Sequence, residues 1–172
     1  HIQPKGLPAY AALTGRWTNF LLGCVNCNST KKDKHVALSD FFLPDRDNTF
    51  AAFNYRADGG IEVSGGVALA QHALATGLLS LVGSIAVDEN GKQVALDRVS
   101  QRMEVWGIAT EAKSDVDANP GNDAVRRGAV RTATAEGFFS IWMIVFDGDV
   151  DMRNRLIDAF SGTRGSGCFD AV

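Results

Sequence analysis

Three kinds of side chain near the front of the sequence have the types and spacing for chemistry: a histidine, His1; a Cys-x-x-Cys pair, Cys24 and Cys27; and a group of lysines, Lys5, Lys31, Lys32 and Lys34. A neutral imidazole has an ordinary pKa of about 6.5, so at neutral pH it is ready to take a proton and suits the work of a general base. Two thiolates from one turn supply half of the four N/S ligands that tetrahedral zinc requires. A Cys-x-x-Cys pair also serves as a redox dithiol, but that motif opens a helix after a strand in a βαβ pattern, which the flanking sequence does not show. Zinc is therefore the better reading of Cys24 and Cys27. The lysines read equally as a solvated helix face or as phosphate contacts. His35 and His72 have no motif around them, and His72, set among Ala70, Ala73 and Leu74, reads as helix packing. Asp45 and Asp47, beside Pro44, read as turn-formers.

Around these residues the sequence runs His1-Ile2-Gln3-Pro4-Lys5, then Trp17-Thr18-Asn19-Phe20-Leu21-Leu22-Gly23-Cys24, then Cys27-Asn28-Ser29-Thr30-Lys31. These blocks, in this order, resemble the HNH family of the ββα-metal (His-Me finger) nucleases. The resemblance is densest over residues 1–31 and extends more loosely to about Tyr55. Asp97-Arg98 and the tail from Ala159-Phe160 to Cys168-Phe169-Asp170 are similar to bacterial stand-alone members, some of which serve in antiphage defence.

What the resemblance implies is specific. His1 is the expected general base, taking a proton from the water that attacks phosphorus. Asn28 stands where family members place a His or Asn ligand to a catalytic Mg²⁺ or Mn²⁺, and an amide oxygen is a hard donor suited to such an ion. Asn19 is the expected middle residue, whose side chain ties the loop down and holds the histidine in place. Cys24 and Cys27 are the expected second half of a structural Zn²⁺ site. In the family the first Cys-x-x-Cys, and an acidic metal ligand adjacent to the histidine, precede the position of His1. The chain is thus expected to be N-terminally truncated and to have weak or absent activity by itself. The implied substrate is DNA, contacted by Lys5, Lys31, Lys32 and Lys34, with RNA left open because the motif recognises phosphate and not sugar. A protein partner in a defence complex is a further implied partner. The competing expectation is a zinc-stabilised nucleic-acid-binding or partner-binding module without catalysis.

The elements that must position these groups follow from composition and periodicity. The 172 residues are 45% hydrophobic and 22% charged, without an uninterrupted apolar run long enough to cross a bilayer, so no membrane partner is expected. The net charge is −3, yet residues 1–56 carry seven Lys/Arg against four Asp, a local +3 that leaves −6 for the remainder. A basic front fits a polyanion. Three cysteines, an odd number, argue against a disulfide framework and for a reducing, cytoplasmic setting.

Residues 1–56 read as loop-rich, with a β-compatible aromatic run at 50–55, a turn at Asp58-Gly59-Gly60 and a returning strand at 61–63. From residue 66 helical spacing takes over. One stripe is Val67, Ala70, Leu74, Leu78 and Leu81; a second is Leu96, Val99, Met103, Trp106 and Ala109, with Arg98 and Arg102 off the stripe. A polar break over Lys113–Asn122 precedes a segment Asp123–Asp147 that ends in a run, Phe138 to Phe146, apolar enough to be core. Arg126, Arg127 and Arg131 in that segment, with Arg98 and Arg102, read as contacts to phosphate or to a partner. A last helix, about Val150–Phe160, carries Met152, Leu156 and Phe160 on one face and stops at Gly162. The expected architecture is α+β: a partial ββα-metal module over residues 1–56, followed by a mainly α-helical region over 57–172.

Overall fold

The structure, a computed structural model, describes residues 1–82 and 96–169. It is an α+β chain, mostly helical, with one small two-stranded sheet. Two compact units divide it: residues 1–54 with 61–96, and residues 55–60 with 97–172.

In the first unit three short 3-10 turns, Pro8–Leu13, Trp17–Asn19 and Leu38–Asp40, alternate with the helices α1 (Val25–Lys31), α2 (Thr49–Ala52) and α3 (Leu69–Leu81). The aromatic run expected as strand is split. Asn48 accepts the Ala51 N–H at 3.0 Å and so caps α2, turning residues 49–52 into helix before β1 (Phe53–Tyr55) begins. The return strand β2 is Ile61–Val63, as the pattern predicts. The turn before β1 is held by the Asp47 carboxylate, which accepts the Leu43 N–H at 2.7 Å. Burial on α3 falls on Ala75, Leu79 and Leu81. His72 is exposed on this helix, which corrects its reading as a packing residue. At Gly77, α3 comes so close to residues 40–41 that a Cβ would sit 3.1 Å from the Asp40 carbonyl oxygen. The front of the unit closes on Ile2, Val36 and Leu81, with Leu21 and Phe41 packed against them. Burying each such aliphatic side chain stabilises by about 1.5–3 kcal/mol.

The second unit is built from α4 (Leu96–Ala118), α5 (Asp123–Glu136), α6 (Phe139–Val145) and α7 (Val150–Ala159). Helix α4 runs through the segment expected as a polar break. Lys113, Glu111 and the alanines are good helix formers, a Lys113–Asp117 pair spans one turn at 2.7 Å, and the chain leaves the helix only at Asn119-Pro120-Gly121. Its buried face also differs from the expected stripe. Arg98, Arg102, Val105, Ala109 and Val116 are buried, whereas Met103 is 49% exposed; the side chain of Leu96 lies outside the described residues, as does Asp170 of the tail. Of the two buried arginines, Arg102 is met by the turn 55–60: its Nε donates to the Gly59 carbonyl at 2.6 Å. Gly59 itself has φ +75°, and a Cβ there would meet the Val99 carbonyl oxygen at 2.5 Å. Only glycine satisfies both conditions.

The segment 123–147 breaks into two helices at Gly137 (φ 77°) and Phe138 (φ 55°). Phe138 remains 38% exposed, while Ile141, Trp142, Met143 and Phe146 are fully buried with Met152, Leu156 and Ile157 of α7. Ala129 and Ala133 give α5 a flat buried face, which allows close packing against α7. Helix α7 ends at Ala159, and Gly162 follows in a left-handed conformation. Two of the three arginines of α5 are already committed. Arg126 bridges Asp149 at 2.9 Å and Asp151 at 3.1 Å, and Arg127 pairs with Asp123. With Arg98 and Arg102 buried, Arg131 is the exposed member of the five arginines singled out that forms no ion pair with a described residue. Asp149 also caps α7, accepting the Met152 N–H at 3.0 Å. Burial pulls its carboxyl upward, but the Met152 N–H and the Arg126 guanidinium outweigh this and hold it below the usual carboxylate range.

Candidate active site

The segment at the front of the chain is extended and lacks sheet partners of its own, so its backbone groups need satisfying from elsewhere. Asn19 does this. Its side chain is 4% exposed, its Oδ1 accepts the Gln3 N–H at 2.7 Å, and its Nδ2 donates to the Gln3 carbonyl at 3.1 Å and to the Leu13 carbonyl at 3.4 Å. The Asn19 backbone carbonyl accepts the Ile2 N–H at 2.8 Å. A primary amide carries both a donor and an acceptor, which is why one asparagine grips both sides of Gln3.

His1 is fixed by a third contact. Its Nε2 lies 3.1 Å from the Thr14 carbonyl oxygen. A carbonyl only accepts, so this hydrogen bond places the proton on Nε2 and leaves the Nδ1 lone pair for other use. The imidazole rests against Phe20, with ring centroids 4.4 Å apart, and Phe20 in turn stacks on Trp17 at 5.9 Å. The Gln3 side chain reaches the other way: it donates to the Val36 carbonyl and accepts the Val36 N–H at 3.3 Å.

Cys24 is the N-cap of α1, and its Sγ accepts the Cys27 N–H at 3.3 Å. The cap brings both sulfurs onto the first turn, with Cys24 exposed and Cys27 half-buried. Asn28 stands exposed one residue further along α1. Lys31 closes the helix; burial lowers its ammonium from the usual value, the Asp33 carboxylate opposes that shift, and its Nζ lies 3.5 Å from the Lys34 carbonyl. Lys31 is therefore half-buried and not a freely solvated cation, whereas Lys5, Lys32 and Lys34 are exposed.

Hydrogen bonds and ring contacts thus unite His1, Gln3, Thr14, Asn19 and Phe20, with Cys24, Cys27 and Asn28 together on the short helix α1. Among the described residues no three His, Cys, Asp or Glu side chains are grouped to hold a metal ion. Two thiols are half of a zinc set and Asn28 is one hard oxygen, so these residues by themselves build neither metal site.

Sequence reading did not single out Gln3, Thr14 or Phe20 as positioning groups. Nor did it find that His35 stacks on Tyr10, ring centroids 5.6 Å apart, with the Tyr10 hydroxyl bonded to His35 Nδ1. Those contacts join residues 13 to 33 apart and leave no local signal. No family model matches the chain, and none of the curated proteins or solved structures compared with it does.

Proposed function

We propose that the chain is an HNH-type, divalent-metal-dependent endonuclease that hydrolyses phosphodiester bonds in DNA, with His1 as its general base. The observation that carries this reading is the way His1 is held. Asn19 grips the backbone at Gln3, two residues on, and the Thr14 carbonyl accepts a hydrogen bond from Nε2–H, which leaves Nδ1 as the basic nitrogen. In that role Nδ1 accepts a proton from water as the water oxygen attacks phosphorus, and the 3′ or 5′ oxygen departs on the far side. Phe20 fixes the ring plane and Asn19 the backbone, so the base needs little reorganisation before reaction. Mg²⁺ or Mn²⁺ would supply positive charge to the phosphate, with Asn28 as the donor in this chain; Zn²⁺ at Cys24 and Cys27 would be structural. Lys5, Lys32 and Lys34 would contact the phosphate backbone, in a cytoplasmic protein acting in antiphage defence, with or without a protein partner.

A second reading is favoured by the Cys24–Cys27 turn, whose geometry is independent of His1: a zinc-stabilised nucleic-acid-binding or partner-binding module without catalysis. Plasmid-nicking assays on the purified protein separate the two. On the nuclease reading it nicks supercoiled plasmid with Mg²⁺ or Mn²⁺, and His1→Ala lowers the rate by at least about a hundredfold. Metal-dependent nicking that survives His1→Ala removes His1 from the chemistry, and a protein that binds plasmid without nicking it supports the second reading.

A further inference from the structure

The segment beside His1 carries exposed aromatic surface, of which the proposed chemistry uses only the contact of Phe20 with the imidazole. Trp17 is 86% exposed and Phe20 41% exposed, and their rings are stacked at 28° with centroids 5.9 Å apart. Phe20 also contacts the His1 imidazole, with ring centroids 4.4 Å apart, so ring contacts link exposed Trp17 through Phe20 to the candidate base. A large aromatic ring left open to water in this way forgoes burial that would stabilise it by about 25 cal/mol per Å². The neighbouring charges are basic: Arg16 precedes Trp17, Lys5 follows the His1 segment, and both are exposed. The only acidic residues in positions 1–40 are Asp33 and Asp40.

We propose that Trp17 and Phe20 form a stacking platform for the unpaired bases of a single-stranded nucleic-acid segment, with Arg16 and Lys5 on its phosphates. The proposal rests on the nuclease reading for its substrate class and adds that the substrate is engaged where its strands are apart. Flat aromatic faces accept any base, and cations beside them follow the backbone, so the surface matches this ligand in both shape and charge. A duplex presents its bases edge-on inside the stack and offers nothing for Trp17 to stack on.

Trp17 fluorescence gives a direct readout, because Trp142 is fully buried and Trp106 is half-buried. The protein is titrated, with no Mg²⁺ or Mn²⁺ added so that nothing is cleaved, with a thymidine oligonucleotide, the same oligonucleotide with abasic sites throughout, its duplex, and a uridine oligonucleotide. The expected result is quenching by both base-bearing single strands, with affinity at least about tenfold above that for the abasic strand and the duplex. Read by the anisotropy of a fluorescein-labelled oligonucleotide, Trp17→Ala removes the preference and Trp17→Phe restores most of it, while far-UV circular dichroism of both variants matches the parent. Equal affinity for abasic and base-bearing strands overturns the proposal. So does a quench that depends on protein concentration without nucleic acid, which would make the platform a contact between two copies. Because binding is read without turnover, loss of nicking in His1→Ala with stacking intact tests the nuclease reading separately.

Discussion

The two units are held together by different means. Residues 139–160 rest on a dense apolar core in which Trp142, Phe146, Met152, Leu156 and Ile157 are wholly buried. The front of the other unit rests on few apolar contacts, Ile2, Val36 and Leu81 among them, and on polar clamps made by Asn19 and Gln3. An apolar core is non-directional and fixes an element to within packing tolerance; hydrogen-bonded clamps fix individual atoms. The difference fits a division of labour in which helices supply stability and the front supplies geometry.

That contrast can be broken at several points. Trp142→Ala should be the most damaging substitution, costing about 3–5 kcal/mol as read from the guanidinium midpoint. A loss under 1 kcal/mol would mean that the helical core is not what stabilises this unit. Asn19→Ala should cost about 2–3 kcal/mol, since it strands the Gln3 N–H and carbonyl. Its effect should appear as faster amide exchange at Ile2 and Gln3, with residues 139–157 unchanged; equal acceleration in both would erase the distinction. The smallest effect concerns acid. The Asp149 carboxyl is held below its ordinary value, so the stability it contributes is complete above the normal carboxylate range near pH 4 and is lost as pH falls through its lower folded value. Asp149→Asn should remove about 1 kcal/mol at pH 7 and flatten the acid limb of the stability profile. An unaltered acid limb would assign that limb to other carboxylates.

Helical periodicity made much of the second unit legible. The 141–146 core, α7 and its glycine stop, and the hairpin turn at 58–60 all follow from patterns within a dozen residues. Where burial is decided by a distant partner, the pattern misleads. Arg98 and Arg102 read as contacts to phosphate or to a partner, yet both are buried, and Arg102 reaches the Gly59 carbonyl, which no local pattern announces. The α5–α6 break at Gly137 and the helical run through Lys113–Ala118 show the same limit, since a backbone can leave or continue a helix without changing hydrophobic spacing. At the candidate site the ordered blocks point to His1, Asn19 and Cys24-x-x-Cys27. Sequence could not show that Thr14 would orient the imidazole or that Tyr10 would meet His35, because each depends on how the loops close.

Gln3 shows how narrow such a device is. Its side-chain amide engages both the N–H and the carbonyl of Val36, the pair of groups that a neighbouring strand would ordinarily engage. In effect one side chain replaces a rung of sheet, and it does so without a register that can slip, since the amide sits at the end of a single tether. Glutamate would bring no donor and would set a charge against the carbonyl, and asparagine would fall one methylene short. The position between Ile2 and Pro4 is thus a fixed-length spacer that sets the depth at which His1 is presented.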